Sequence, residues 1–322
     1  MRLLFKKNLT QLIATCLLAG VVTAASAQSK VTKVLVAFPP GGPVDFVART
    51  LSEQLGKELG QTVVVENKPG ANGALAADAL MRAPADGQTL WLTSVGAVAI
   101  NPSLYPNLPY DPVRDLAPVS LVVNNVELLV VHPNAPVNYP QEFIQWSKQK
   151  SVTMASSGTG SVPHLAMELL ADATKTDLIH VPYKGAAPAI TDVMAGHVDG
   201  FFGDIPGLMA HIRSGKLKAV GLASTRRHPL FPDVKTFQEM GVSGVDSDNW
   251  YALFTHKGIP TADLERINQA VRRTLANESV RSKLITSGAE PAGSNPTELA
   301  IVLKNDMAKW GRVIRDKKVK PD

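Results

Sequence analysis

The chain has a single cysteine in 322 residues, Cys16. It sits in the opening basic and apolar segment. The rest of the chain can therefore build no disulfide, no thiol nucleophile and no cysteine-ligated metal site. Long apolar runs are missing too. The mostly apolar stretch 9–22 is far short of the roughly 20 residues that a spanning helix needs. Excess charge is small once the start of the chain is set aside. Of the formal +5, three cations (Arg2, Lys6 and Lys7) lie in residues 1–27 with no acid, which leaves +2. That is too weak to argue for nucleic acid. The cations Arg312, Arg315, Lys317, Lys318 and Lys320 end a helical pattern, where they complement the helix dipole. A patch for anionic surfaces is the other reading of that cluster.

Catalytic and cofactor signatures are also lacking. The seven histidines (132, 164, 180, 197, 211, 228 and 256) show no HExxH spacing, and there is no GxSxG elbow. Neither a Walker A loop nor a dinucleotide fingerprint is present, so no cofactor and no metal are expected. Ser156 or Ser161 with His164 could form a nucleophile and base. That keeps a periplasmic hydrolase open as an alternative, beside the commoner pairing of a capping Ser and a first-turn His.

What is present begins with an export signal. Basic residues, a short apolar stretch and Ala25-Ser26-Ala27 predict cleavage after Ala27, release to the periplasm and a new N-terminus at Gln28. A signal anchor and a lipidated Cys16 are the alternatives. The mature chain of about 295 residues is long enough to fold on its hydrophobic core without staples, as two domains or one large one.

From Val31 onward, short β-rich runs alternate with helical patterns. Strands are predicted at 31–38, 62–66, 89–95, 152–155, 178–182, 198–202, 217–223 and 251–255. Helices are predicted at 45–59, 71–81, 161–173, 186–195 and 206–214. This is the βαβ signature of an α/β fold with mostly parallel sheet. Residues 101–118 read as irregular. Apolar runs at 119–123 and 127–131, and again near 250–255, read as crossings between two lobes. The chain closes with helices only, at 261–276, 279–287 and 296–316. These features predict a discontinuous first lobe, 28–124 plus 252–322, and an inserted second lobe, 125–251.

Two glycine-rich turns follow strands and open helices: Phe38-Pro39-Pro40-Gly41-Gly42-Pro43-Val44-Asp45 and Ser156-Ser157-Gly158-Thr159-Gly160-Ser161-Val162-Pro163-His164. Gly42 can cap its helix and Pro43 suits the first turn. Ser161 is an N-cap candidate. Helix N-termini with close backbone approach favour an anion, so the two turns predict a carboxylate site between lobes. Asp45 either complements its helix dipole or meets a ligand amine. Thr93, Ser94, Tyr183 and Asp204 lie at strand ends, where open α/β sheets bind ligands. Phe38 either stacks on a ligand or ends its strand's core. The candidate ligand-binding residues are thus Phe38, Pro39, Gly41, Gly42, Asp45, Thr93, Ser94, Ser156, Thr159, Gly160, Ser161, His164, Tyr183 and Asp204, with no catalytic residue among them.

Across nearly the whole mature chain, motifs in order resemble one family. They include Phe38-Pro-Pro-Gly-Gly-Pro-Val-Asp-Phe-Val-Ala-Arg49, Val65-Glu-Asn-Lys-Pro-Gly-Ala-Asn-Gly73, Tyr110-Asp-Pro-Val-Arg-Asp-Leu-Ala-Pro-Val119 and His180-Val-Pro-Tyr-Lys-Gly185. The chain resembles the Bug, or tripartite tricarboxylate transporter receptor, family of periplasmic solute-binding proteins. The resemblance implies a two-lobed, Venus-flytrap (type II) periplasmic-binding-protein fold. It implies a small carboxylate ligand (dicarboxylate, amino acid or aromatic acid), held by backbone amides and waters at the loops near Phe38 and Ser156. It also implies partners, either a large and a small membrane subunit of a transporter or a membrane sensor kinase.

The export reading predicts that protein recovered from the periplasm begins at Gln28, with no lipid. Intact-mass spectrometry checks this; retention of Met1 or a lipid on Cys16 overturns it.

Overall fold

The computed structural model describes residues 30–321. The expected signal segment and its cleavage site lie outside the described residues. The first strand, β1 (Val31–Val36), alternates exposed and buried positions and then runs fully buried into the first glycine turn. Helix α1 (Pro43–Leu59) carries Pro at its start and ends at Gly60 in the left-handed region, φ 66°. Its Val44, Val47, Ala48, Leu51 and Leu55 form one buried face. Next come β2 (Thr62–Asn67), α2 (Ala74–Met81) and β3 (Thr89–Ser94). Residues 101–118, expected to be irregular, are partly ordered: a helical turn at Gly96–Ile100 leads into α3 (Asn101–Leu104), and β4 (Leu116–Asn125) starts early. The stretch between them, 105–115, is irregular as expected, while the preceding Val98, Ala99 and Ile100 and the first residue of α3, Asn101, are at zero exposure.

The chain then enters a second unit: β5 (Glu127–Val131), α4 (Pro140–Gln149), β6 (Val152–Ser156), α5 (Val162–Thr174), β7 (Leu178–Pro182), α6 (Ala186–Ala195), β8 (Gly200–Asp204), α7 (Ile205–Arg213) and β9 (Lys218–Leu222). Helix α4 had no counterpart in the sequence reading. The chain returns to the first unit through β10 (Asn249–His256), and α8 (Thr261–Ala276), α9 (Glu278–Ser287), the short β11 (Glu290–Pro291) and α10 (Pro296–Lys317) follow.

Two sheets result. The first runs β11-β4-β10-β3-β1-β2 and the second β7-β6-β8-β5-β9. The strands β1, β2 and β3 pair parallel, as do β6, β7 and β8, which is the βαβ part of the expectation. The strands that pass between lobes do not follow it. β10 is antiparallel to both β3 and β4, and β5 is antiparallel to β8 and β9. A strand that arrives from the other lobe has no helical crossover, so nothing obliges it to run parallel. Asn249 pairs with Asn125 and Tyr251 with Val123 inside the first sheet. We therefore propose that the lobe division falls at Val126 and Asp248.

The first sheet carries the larger core, with Trp91, Phe254 and Trp310 fully buried. In the second, β8 alternates across the sheet. Phe201 packs with Val193 and Leu208 on one face, and Phe202 packs with Phe143 and Phe237 on the other. No helix among the described residues is long and apolar enough to cross a membrane.

Helix α10 starts with a complete capping box: the Asn295 side chain accepts from the Glu298 amide at 2.9 Å, and Glu298 accepts from the Asn295 amide at 2.8 Å. Replacing Asn295 with Ala is predicted to lower stability by about 1 kcal/mol. Urea denaturation of the mature protein measures it; an unchanged midpoint refutes a stabilising role for the cap.

Candidate functional site

The first glycine turn is ordered from within. Gly41 adopts φ +80°, and its amide donates to Asp45 Oδ2 at 2.9 Å. Arg49 Nε donates to the same oxygen at 2.9 Å, and Asn67 Nδ2 donates to Asp45 Oδ1 at 2.8 Å and to the Phe38 carbonyl at 3.0 Å. Burial works to raise the Asp45 carboxyl, but Arg49, the Gly41 amide and Asn67 outweigh it and hold it below the usual carboxylate range. Asp45 is thus a brace for the turn, with both oxygens engaged inside the chain. Gly42 caps α1 in extended conformation and without any side-chain cap. Gly42, Pro43 and Val44 therefore present an open helix N-terminus to the cleft.

The second turn is ordered in the same manner. Ser156 Oγ accepts from the Gly158 amide at 3.1 Å and pairs with His180 Nε2 at 2.7 Å. The Gly160 amide donates to His164 Nδ1 at 3.2 Å, and Ser161 Oγ caps α5 by accepting from the His164 amide. His164 and His180 stack with ring centroids 3.8 Å apart. The amides of Gly41, Gly158 and Gly160 were natural candidates for binding an anion directly, but they are spent on their own loops. Nor does either serine present a nucleophile. Ser156 is fully buried and already accepts a backbone bond, while His164 turns its Nδ1 to Gly160 rather than to Ser161. Neither serine thus forms with His164 the nucleophile–base pair that the hydrolase alternative called for.

Between the turns lies a small cleft. Phe38, Pro39, Gly42, Ser94, Ser157, Ser161, Phe201, Asp204, Asn249 and Tyr251 are among its walls. Of the candidate residues, Phe38, Pro39, Gly42, Ser94, Ser161 and Asp204 meet here. Thr93 is fully buried beside Ser94. Asn249 and Tyr251 were not singled out in the sequence: Asn249 stands in a polar stretch before the predicted strand, and Tyr251 reads as the first residue of that apolar strand.

The cleft floor is a polar cluster where the two sheets meet. Asn249 Nδ2 donates to Asp204 Oδ1 at 3.0 Å and Oδ2 at 3.1 Å, and lies 3.4 Å from Glu127 Oε1. The Tyr251 hydroxyl donates to Asp204 Oδ2. Glu127 is fully buried; burial first, and the Asp204 charge second, push its carboxyl well up. Burial also pushes the Asp204 carboxyl up, to about 6, against the lowering effect of its bonds from Tyr251 and Asn249.

A neighbouring cavity shares Phe38, Pro39 and Ser157 and adds Asn72, Tyr105, Gly158, Thr159, Tyr183 and Gly185. The Tyr183 hydroxyl donates to Asp192 at 2.6 Å, outside the first cavity. Here the lobes touch. Asn72 Nδ2 donates to the Gly160 carbonyl at 2.8 Å, and the Tyr105 hydroxyl reaches the Thr159 carbonyl at 3.4 Å. Gly185 lies so close to Pro39 that a Cβ on it would sit 2.5 Å from Pro39 Cδ.

Residues 47–319 match the family described as tripartite tricarboxylate transporter family receptor. The protein BugT of Bordetella pertussis is 33% identical over 307 residues, 94% of each chain. The periplasmic binding protein BugD superposes with a TM-score of 0.86 at 31% identity, over 91% of this chain and 99% of that one. MatC from Rhodopseudomonas palustris, with bound malate, has a TM-score of 0.83 at 33% identity, over 88% and 99%. A second R. palustris protein, with adipate, has a TM-score of 0.87 at 29% identity, over 91% and 99%.

The two glycine turns predict unequal responses to the same substitution. At Gly42 the backbone is extended and a Cβ would meet only the Pro39 carbonyl at 3.5 Å. At Gly160 φ is +77° and a Cβ would sit 2.6 Å from Leu104 Cδ2. Gly160→Val is predicted to lose roughly 1–3 kcal/mol of stability, and Gly42→Val well under 1. Equal urea midpoints for the two variants contradict this loop geometry.

Proposed function

The chain belongs to the tripartite tricarboxylate transporter receptor family, and from that premise we propose that it captures one small carboxylate solute per chain, in the periplasm, and delivers it unchanged to a tripartite tricarboxylate-type membrane transporter. The observation that carries this reading is the cleft between the two glycine turns. One wall is the uncapped N-terminus of α1, where unsatisfied amides and the helix dipole favour an anion. The facing hydroxyls of Ser94 and Ser161 add donors, and Phe38, Val44 and Phe201 supply apolar walls. Dipoles and hydroxyls can hold a carboxylate without a buried cation, because charge-assisted bonds to neutral donors are already strong.

Solved relatives with malate and adipate make small acids the natural class to try. A receptor leaves its ligand intact. The buried, internally bonded state of Ser156 and His164 supports that over turnover.

A thermal-shift screen of small acids on the mature protein, followed by calorimetry, is expected to give one site per chain with ligand recovered unchanged by mass spectrometry. Gly42→Val keeps the fold but puts two methyl groups over the α1 amides. It is predicted to weaken binding by about thirtyfold, or about 2 kcal/mol for one lost bond to a charged group. Wild-type affinity in that variant, or conversion of the acid into product, rejects the proposal.

A further inference from the structure

The cleft holds a carboxylate with no cation to answer it. Asp204 ends β8, lines the cavity and is 8% exposed. Its partners are the Asn249 amide, the Tyr251 hydroxyl and, from behind, the Glu127 carboxyl, none of them a cation. Among the described residues that line this cavity there is no Lys or Arg. Behind Asp204, Glu127 is fully buried and its Oε2 has no hydrogen-bond partner. Neutral dipoles reduce the cost of such a charge but do not cancel it. Across the same cavity stand the α1 N-terminus and the serine hydroxyls, which suit an anion. The site is polar in a sense with a direction, accepting negative charge at one end and offering it at the other.

Resting on the reading of this cleft as the ligand site, we propose that Asp204 is a specificity-determining residue that accepts hydrogen bonds from an ammonium group of the solute, so that the ligand is an amino-bearing carboxylate rather than a dicarboxylate. The ammonium supplies the counter-charge that the protein lacks, while a second carboxylate in that place faces Asp204 as a like charge. The state of Glu127 agrees with this. Burial and the Asp204 charge push its carboxyl well up, while Asp204 rises only to about 6, so negative charge at the floor favours the residue that faces the ligand.

Calorimetry on the mature chain near neutral pH tests the proposal with matched pairs: succinate against 4-aminobutanoate, adipate against 6-aminohexanoate, and terephthalate against 4-(aminomethyl)benzoate. In the pair of best-fitting length, the amino member is expected to bind at least about tenfold tighter. Asp204→Asn, checked for fold by circular dichroism, is expected to abolish that preference. Should the variant not fold, the wild-type ratio decides alone. Equal or tighter binding of the dicarboxylate in wild type, or a preference that survives Asp204→Asn, overturns the zwitterion proposal and leaves the receptor standing. Failure of all six to bind overturns both.

Discussion

Everything in this molecule converges on the place where one carboxylate joins two sheets. Asp204 ends β8 of the second sheet, and its oxygens accept from Asn249 and Tyr251 on β10 of the first. The chain passes between lobes beside it, through Val126 and again before Asn249. A charge at such a depth is costly unless its hydrogen bonds are met, so the donors must stay where they are. That fixes the end of β8 against β10, and with it the relation of the two glycine turns. The antiparallel run of β10 follows from the same constraint. It brings Tyr251 beside Ser94 at the end of β3, so floor and wall of the cleft share one register.

Above that floor the glycine turns divide their labour. Donors that the sequence appeared to offer a ligand are used to shape the loops instead. Asp45 takes the Gly41 amide, Ser156 takes that of Gly158 and His164 takes that of Gly160. An unbonded glycine loop would be ordered only by its ligand, and binding would bear that entropy. A braced loop is ordered beforehand. What remains for a ligand is one open helix end and a few hydroxyls.

Much of this was legible in the sequence, and the residues say why. Strand-to-helix turns at Gly41-Gly42 and at Gly158–Ser161 stand out because glycine, proline and serine each have a local reason to be there. The long amphipathic patterns of α1, α8 and α10 declare themselves by period. Other features depend on partners far along the chain. Glu127 opens an apolar run and reads as its edge, yet it is buried against residues at 204 and 249. Asn72 touches Gly160, 88 positions away. The direction of β10 could not be read, since antiparallel pairing leaves no mark on a run such as Tyr251-Ala-Leu-Phe-Thr255. Asp45 shows the subtler limit. Its place in the first turn was evident, but whether it faced the ligand or the loop depended on Asn67, at the end of another strand.

The energetics of capture follow from this arrangement. Binding at micromolar affinity needs about 8 kcal/mol net. Bonds to a charged group give about 1.5–3 kcal/mol each, and apolar walls add about 25 cal/mol per Å² covered. A few contacts of each kind approach the requirement only if little is lost to ordering and to bringing the lobes together. Moving a two-state opening from 1:99 to 99:1 by ligand alone would take about 5.5 kcal/mol of differential affinity, most of what such a ligand can supply. The bonds from Asn72 to Gly160 and from Tyr105 to Thr159, with Gly185 seated on Pro39, are made between parts of the protein itself. They stabilise this arrangement of the two turns from within the protein, so a small solute need tip a balance rather than create it. A receptor that must also release its cargo is well served by that division, because contacts holding the lobes and contacts holding the solute can then be broken separately.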